Sequence, residues 1–323
     1  MSTIYSERLF ARHQAVFKPH LASVGLPETI FRRPDIEVPI EKYLELLDLV
    51  ARHSNPSIGL TMGESVEAAD LGVYGHAMAA TANVAELLRV MARYIYVFAQ
   101  LNTIRVNTAQ NSTVISYSHN GPQKHLAIHD VEFAMAAVLT VIRRLTGREV
   151  TPQSVDFDHD KPEYAREYAR IFGCEVHFGR RGNRIHIDNR VLDWPVLTHD
   201  PGLLGALEFS LADRLKIRSD EEDIVTRVKH LVSANLSEGP VDIDSVASAL
   251  GLSRRTLQRR LADAGDVFND LVESVRIAFA KEYIQHSDYS LTDIALMLGY
   301  GELSSFSRAF KRWTGKSPQQ FRA

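Results

Sequence analysis

The chain has 323 residues, 45% hydrophobic and 24% charged, which excludes global disorder, collagen-like repeats and low complexity and suits two domains. A formal net charge of −3 excludes a chain that is basic overall, so any nucleic-acid contact must come from local clustering. The single cysteine, Cys174, excludes an intramolecular disulfide and a cysteine-rich zinc site; with no apolar h-region after Met1 and no apolar run near the roughly 18 residues of a spanning helix, the expectation is a cytoplasmic protein.

Residues 41–53 space apolar groups at helical intervals, and so does Asn83 to Phe98, with Val84, Leu87, Leu88, Met91 and Ile95 on one side. Thr81 or Asn83 is the N-cap expected there, with Glu86 three residues after Asn83 in a capping-box pattern. Residues 103–106 and 112–118 are two β-rich runs around the turn-like Asn107 to Asn111, which predicts a hairpin. His129 to Leu145 is a strongly apolar helix closed by Gly147. Ser154 to Phe157 reads as a strand, Pro162 to Phe172 as a helix, and Glu175–Phe178 and Arg184–Ile187 as a second hairpin turning at Gly179–Asn183. This pattern predicts an α+β domain with a small antiparallel sheet, without the regular βαβ alternation of a dinucleotide fold. Pro201 to Ile217 is helical again, and the charged, core-free stretch from Arg218 to Asp223 suits a linker. The expected division is 1–217, a linker at 218–223, and 224–323.

From Ile224 onward strand patterns vanish, and short amphipathic segments are punctuated by Gly239-Pro240, Gly251, Gly265, Gly299, Gly301 and Gly315. One approximate duplication stands out: Val241 to Leu261 and Ser290 to Phe310 both run Asp, an apolar residue, Ala, Leu-Gly, a short gap and a basic helix. Asp244 and Thr292 or Asp293 are the caps expected for the first helix of each copy, and Ser253 for a second helix. Ala247 and Ala295 are small where helices cross, Gly251 and Gly299 permit a left-handed turn, and Leu252 and Tyr300 plug the corner. Leu257 and Leu261, like Phe306 and Phe310, face a core at i and i+4. That leaves one face of each second helix for a major groove about 12 Å wide. The outward residues are Arg254, Arg255, Gln258 and Arg259, with Arg260 nearby, and then Ser304, Ser305, Ser307 and Arg308, followed by Lys311, Arg312 and Lys316. Arg grips guanine O6 and N7 and Gln grips adenine N6 and N7, whereas Ser, Lys and peripheral Arg more often hold phosphate. Asp263, Asp266, Asp270, Glu273 and Asp288 lie between the basic clusters and pull the balance toward neutral.

At Ile294 to Arg322 the second half resembles the arabinose-regulator family, the AraC/XylS-type transcription factors: the A-x-x-x-G-Y core, the S-x-F-x-R-x-F-K helix and the G-x-S-P-x-x-F-R ending all stand here. The resemblance, over about residues 222–323, implies an all-α, seven-helix domain with two helix-turn-helix units bridged by one long helix, Phe268 to His286. By motif position it implies base reading by Arg255, Gln258 and Arg259, and by Ser304, Ser307 and Arg308, while Leu303 takes a place often polar in the family. The first half is similar, more loosely, to regulators with an arabinose-binding-type N-terminal domain, of the ornithine-utilisation and virulence branch. The matching residues are Leu71–Arg89, Val155–His159 and Phe172–Phe178. That likeness implies a sensor or dimerisation module and names no ligand.

Weaker signals have ordinary readings. His125 and His129 stand at i, i+4 without a third metal ligand, and Asp156, Asp158 and Asp160 alternate into a loop with no nucleophile motif. Arg180-Arg-Gly-Asn-Arg184 reads as a basic turn, and Cys174 as a small core residue. Tyr74, His76, Tyr94, Tyr96, Tyr117 and His119 have the mixed character of a pocket lining, which core packing explains equally well. No P-loop or dinucleotide glycine fingerprint is present. The reading is a sequence-specific transcription regulator with no catalytic residue, metal or cofactor. Its expected partners are double-stranded promoter DNA, RNA polymerase, a small-molecule effector of unknown identity and a second copy of itself. An activator is the expected output; the alternatives are a ligand-independent dimeric repressor and a non-catalytic interaction protein.

Overall fold

A computed structural model of the chain describes residues 3–5, 7–33, 36–109, 112–121, 123–180, 182–221, 224–236, 241–250, 252–286 and 289–322. The chain folds as two compact units, Met1–His119 with Leu126–Lys216, and Asn120–His125 with Ile217–Ala323.

The first unit opens with β1 (Thr3–Tyr5), the short helices α1 (Glu7–Arg12), α2 (Gln14–Phe17) and α3 (Leu21–Val24), and β2 (Glu37–Pro39), which pairs antiparallel with β1. Helices α4 (Ile40–His53), α5 (Ile58–Ser65), α6 (Gly72–Ala79) and α7 (Val84–Phe98) follow. Asn83 caps α7 by accepting from the Glu86 N–H at 2.9 Å. The Glu86 carboxylate reaches back one residue further than a capping box, to the Ala82 N–H at 2.8 Å. The expected hairpin forms as β3 (Asn102–Thr108) and β4 (Ser112–His119), in register with Ile104 opposite Tyr117. Helix α8 (Ile128–Thr146) is buried without a break from Asp130 to Ile142, so it runs through the core, mostly apolar but carrying the buried carboxylates Asp130 and Glu132. It ends at Gly147, in the left-handed conformation at φ 64°. Helix α5 packs on α8 through Gly59 and Gly63: a Cβ at Gly59 would stand 2.2 Å from the His129 carbonyl, and one at Gly63 2.5 Å from Ala136 Cβ.

The expected second hairpin is replaced by a different pairing. Strands β5 (Ser154–Asp156), β6 (Glu175–His177) and β7 (Asn183–Asp188) join the hairpin in one five-stranded sheet of order β3-β4-β7-β5-β6. Strand β5 lies between β6 and β7, parallel to the first and antiparallel to the second, so the sheet is mixed rather than purely antiparallel. Residues 157–159 take the backbone partners that a β6–β7 hairpin would have used. Phe157 N–H donates to His177, Gly179 N–H to His159 and Arg180 N–H to Phe157, at 2.8–2.9 Å. Phe157 is held in that wedge by Tyr168, Phe172 and Phe178, with ring centroids at 5.0, 5.7 and 6.0 Å. The crossover from β5 to β6 carries α9 (Ala165–Phe172), which starts three residues inside the predicted helix. Helix α10 (Pro201–Glu221) continues through the stretch expected as a linker; residues 222 and 223 lie outside the described residues.

The second unit contains seven helices among the described residues: α11 (Ile224–Asn235), α12 (Ile243–Ala249), α13 (Arg254–Asp263), α14 (Phe268–His286), α15 (Leu291–Met297), α16 (Leu303–Thr314) and α17 (Pro318–Arg322). The long α14 is central, packing on α11, α15, α16 and α17 through side chains that include Val272, Val275, Phe279 and Ile284. Gly239, Pro240, Gly251 and Asp288 lie outside the described residues.

Candidate nucleic-acid interface

Two helix pairs, α12–α13 and α15–α16, are built on the same turn. The Leu252 N–H donates to the Ala247 carbonyl and the Tyr300 N–H to the Ala295 carbonyl, each at 2.9 Å. Gly299 adopts φ 77° in the second turn, a conformation that favours glycine. Ala247 and Ala295 are buried where the pairs cross, and Leu257, Leu261, Phe306 and Phe310 are buried on the inner faces of α13 and α16. Leu252 and Tyr300 are half-buried against the same core.

The caps of the first helices differ from expectation by two residues or more. Asp242, not Asp244, caps α12, its Oδ1 accepting from the N–H groups of Asp244 and Ser245 at 2.9 Å. These donors, that of Ser245 foremost, hold its carboxyl below the usual range. Ser290, rather than Thr292 or Asp293, caps α15 by accepting from the Asp293 N–H at 3.1 Å. In both cases the extended residue just outside the helix takes the cap, and the residue predicted for it lies within the first turn. Ser253 caps α13 as expected, accepting from the Thr256 N–H at 3.2 Å.

On α13, Arg255, Gln258 and Arg259 are exposed and share one face at i, i+3 and i+4, with Arg260 exposed beside them. Arg254 is exposed as well and is engaged by Asp244 of α12 at 3.0 Å. On α16, Ser304, Ser307, Arg308 and Lys311 also share one face; Ser307 is half-buried and the other three are exposed. Glu302 draws this face toward itself, accepting from the hydroxyls of Ser304 at 2.5 Å and Ser305 at 3.1 Å. Those two hydroxyls hold its carboxyl below the usual range. Arg308 lies 4.0 Å from Glu302 and donates to Ser305 Oγ at 3.3 Å, yet its side chain remains 77% exposed. Leu303, at a place often polar in the family it resembles, is half-buried against the core.

The structure separates Arg312 from the basic cluster to which its sequence neighbours assign it. Its guanidinium and the Trp313 indole N–H both donate to one carboxylate oxygen of Glu273 on α14. They hold the Glu273 carboxyl below its usual range. Arg276, one turn along α14, lies over the Tyr300 ring at 5.1 Å and donates to the Leu298 carbonyl at 3.1 Å, closing the end of α15. Sequence reading misses these two tethers; their only trace is the i, i+3 spacing of Glu273 and Arg276.

In the first unit, the residues considered for a pocket have separate tasks. Tyr74 is buried and donates to the Met91 carbonyl at 2.9 Å, and Tyr94 is buried. Tyr117 donates to the buried Asp130 at 2.7 Å, and His119 Nδ1 meets Asn102 Oδ1 at 2.8 Å. His76 is exposed and Tyr96 half-buried. His129 meets Glu132 at 2.8 Å, and that fully buried carboxylate also accepts from Tyr164 and Tyr168. Asp156 lies between His177 Nδ1 at 3.1 Å and His186 Nε2 at 3.3 Å. Asp158 N–H donates to Asn183 Oδ1 at 3.0 Å, and the Asp160 carbonyl meets His159 Nδ1 at 2.8 Å. Burial pushes the half-buried Cys174 thiol up to about 11, away from reactive thiolate. Arg181 of the basic turn lies outside the described residues. Among the described residues, no helix is long and apolar enough to cross a membrane, and no group of three or more His, Cys, Asp or Glu is placed to hold a metal ion.

Residues 17–196 match a family described as the arabinose-binding domain of AraC transcription regulator, N-terminal, and residues 246–323 match a helix-turn-helix domain. The chain is 26% identical over 267 residues to the ornithine utilization regulator of Pseudomonas aeruginosa, covering 83% of this chain and 78% of that protein. It is 29% identical over 311 residues to the transcriptional regulator VirS of Mycobacterium tuberculosis, covering 94% and 90%. The crystal structure of the regulator CdpR from Pseudomonas aeruginosa aligns over 96% of this chain and 97% of its own, with 22% identity and a TM-score of 0.46.

Proposed function

The chain belongs to the AraC-type transcription regulators and is a DNA-binding regulator, and we propose that it reads promoter DNA with α13 and α16 in successive major grooves under the control of a small molecule. The observation that carries this reading is the repeated turn: the same 2.9 Å bond from Leu252 to Ala247 and from Tyr300 to Ala295, each followed by a helix with an exposed polar and basic face. Arg255, Gln258 and Arg259 read base edges, and Arg254, held near Asp244, exchanges that ion pair for phosphate. Ser304, Ser307 and Arg308 face the second groove with Lys311 on the backbone, and Glu302 competes with the duplex for Ser304 and Arg308. Residues 1–217 form the effector and dimerisation domain, 218–223 the linker and 224–323 the DNA-binding domain. The output is activation through RNA polymerase, by a homodimer in the cytoplasm, and no catalytic step is required.

Selection of bound duplexes from a random pool, at several salt concentrations, tests the reading. An enriched site with elements about one helical turn apart supports two-groove recognition; salt-sensitive binding without enrichment leaves only phosphate contact. Arg259→Ala weakens binding to the selected site by about 1–3 kcal/mol and leaves random duplex nearly unchanged. Equal losses on both make Arg259 a phosphate holder. A thermal-shift panel of amino acids with ornithine first, polyamines, sugars and fatty acids tests effector control, which predicts saturable stabilisation by one class.

A further inference from the structure

Among the described residues of the first unit, three carboxylates are buried, and burying a charge is costly unless it is paired or neutralised. Asp70 lies against the Arg12 guanidinium at 2.6 Å. Asp130, whose carboxyl burial pushes up to about 6, accepts from Tyr117 and Asn102. Glu132 on α8 is 0% exposed, and no lysine or arginine among the described residues forms an ion pair with it. Its donors are the hydroxyls of Tyr164, at 2.7 Å, and Tyr168 on Oε1, and His129 Nδ1 on Oε2 at 2.8 Å. A carboxylate offers about four acceptor sites, so these donors leave one open, on Oε2. Gly59 of α5 keeps the space beside that oxygen: a Cβ there would stand 2.8 Å from it. The two phenols belong to a ring cluster. Tyr164 stacks on Tyr168 with centroids at 6.0 Å, Phe178 meets Tyr168 edge-on at 5.1 Å, and His159 lies 5.7 Å from Phe178. Tyr168 is buried, Tyr164, His159 and Phe178 are half-buried, and 13% of the His129 side chain is exposed, so the cluster runs from the carboxylate to the surface.

We propose that Glu132 and this ring cluster form a binding site for a primary alkylammonium ion. The ammonium supplies the fixed positive charge that two phenols do not, and donates to the open acceptor site on Oε2. Its alkyl chain runs outward over the rings of Tyr164, His159 and Phe178, whose faces attract a cation and cover methylene groups alike. Entry requires Tyr164 or His129, the two donors that reach the surface, to swing aside, while the buried Tyr168 keeps its hold on Oε1. An anion of the same length is repelled by Glu132, and a neutral alcohol forgoes the charge-assisted bond at both ends. The proposal deepens the effector reading above, on which its regulatory use rests, by assigning the site and the class of ligand. A purely structural network has no use for an open acceptor on a buried carboxylate.

Ligand-observed NMR titration of the full chain with n-butylammonium, 1-butanol and butyrate, at constant ionic strength, tests it. The expected result is saturable binding of n-butylammonium with Kd on the order of 1 mM, and none of the other two. Glu132→Gln keeps the shape and one acceptor oxygen but removes the charge, and weakens n-butylammonium at least about tenfold. Tyr164→Phe removes a donor that competes for the carboxylate and tightens it, an effect of opposite sign that a merely structural role does not produce. Urea midpoints of both variants show that each is folded. Where Glu132→Gln fails to fold, Tyr164→Phe decides: tighter binding supports the site, and unchanged or weaker binding overturns it. No saturation by about 10 mM, equal binding of 1-butanol, or wild-type affinity in folded Glu132→Gln also overturns it. The titration contains no DNA, so loss of the site leaves DNA recognition standing. Bound n-butylammonium that leaves affinity for the selected duplex unchanged supports the site and counts against effector control alone.

Discussion

Asp130 stands in the first turn of α8 with 1% of its surface exposed, accepting from Tyr117 at 2.7 Å and Asn102 at 3.3 Å. Burial pushes its carboxyl up to about 6, and these hydrogen bonds offset only part of the cost of ionising it. Between about pH 4 and 6 the folded chain therefore binds a proton that the unfolded chain has released. This contribution to stability is complete below about pH 4 and is lost as pH rises through 6, an effect on the order of 3 kcal/mol by pH 7. Asp130→Asn keeps an acceptor for Tyr117 and carries no charge. The variant is expected to match wild type near pH 4 and to exceed it in stability at pH 7.5. Trp194 fluorescence in a Trp313→Phe background, followed through a urea titration at each pH, reads the first unit alone. Nothing in the sequence around Asp130 distinguishes it from a surface carboxylate at a helix start. Its burial depends on Asn102 and Tyr117, 28 and 13 residues away.

At the scale of elements, what is legible in the sequence is local. The α7 cap at Asn83, the β3–β4 hairpin and the glycine stop of α8 each depend on residues within a turn or two, whereas the span of α14 is implied by the family resemblance. Two runs joined by a glycine-containing turn read as a hairpin at 175–187, because sequence proximity is all that such a reading weighs. The structure inserts β5 between them, anchored by the aromatic contacts of Phe157 with α9. At the DNA-facing unit the same distinction holds: the exposed faces of α13 and α16 follow from periodicity, whereas the diversion of Arg312 to Glu273 spans 39 residues and does not. The α5–α8 contact shows how a non-local fit constrains one residue type. At Gly63 an added methyl would lie 2.6 Å from the Phe133 carbonyl as well as 2.5 Å from Ala136 Cβ. Gly63→Ala is expected to destabilise the first unit by about 1–3 kcal/mol despite the better helix propensity of alanine, measured by the same Trp194 titration.

For the whole molecule, charge is a matter of placement. Residues 217–323 carry fourteen lysines and arginines against fifteen aspartates and glutamates, so this unit has no net positive field to offer DNA. Its carboxylates are spent partly inside the protein: Glu273 engages Arg312 and Trp313, Asp242 caps α12, and Asp293 accepts from Ser290 at 2.7 Å. The exposed cations Arg255, Arg259 and Arg260 lie on α13, Arg308 and Lys311 on α16, and Lys316 shortly after it. If the phosphate holders among them, Arg260, Lys311 and Lys316, together with Arg254 released from Asp244, each displace one counterion from the duplex, log Kobs falls against log salt with a slope of about −4. A field set by net charge alone would give almost no slope. Lys311→Ala, at the phosphate position of α16, is expected to reduce that slope by about 1 and to weaken selected and random duplexes alike. Titrations of both duplexes from about 50 to 200 mM salt measure both quantities. A slope unchanged by Lys311→Ala would place the phosphate contact of the second unit elsewhere, at Arg308 or Lys316, and a change confined to the selected duplex would make Lys311 a reader of sequence.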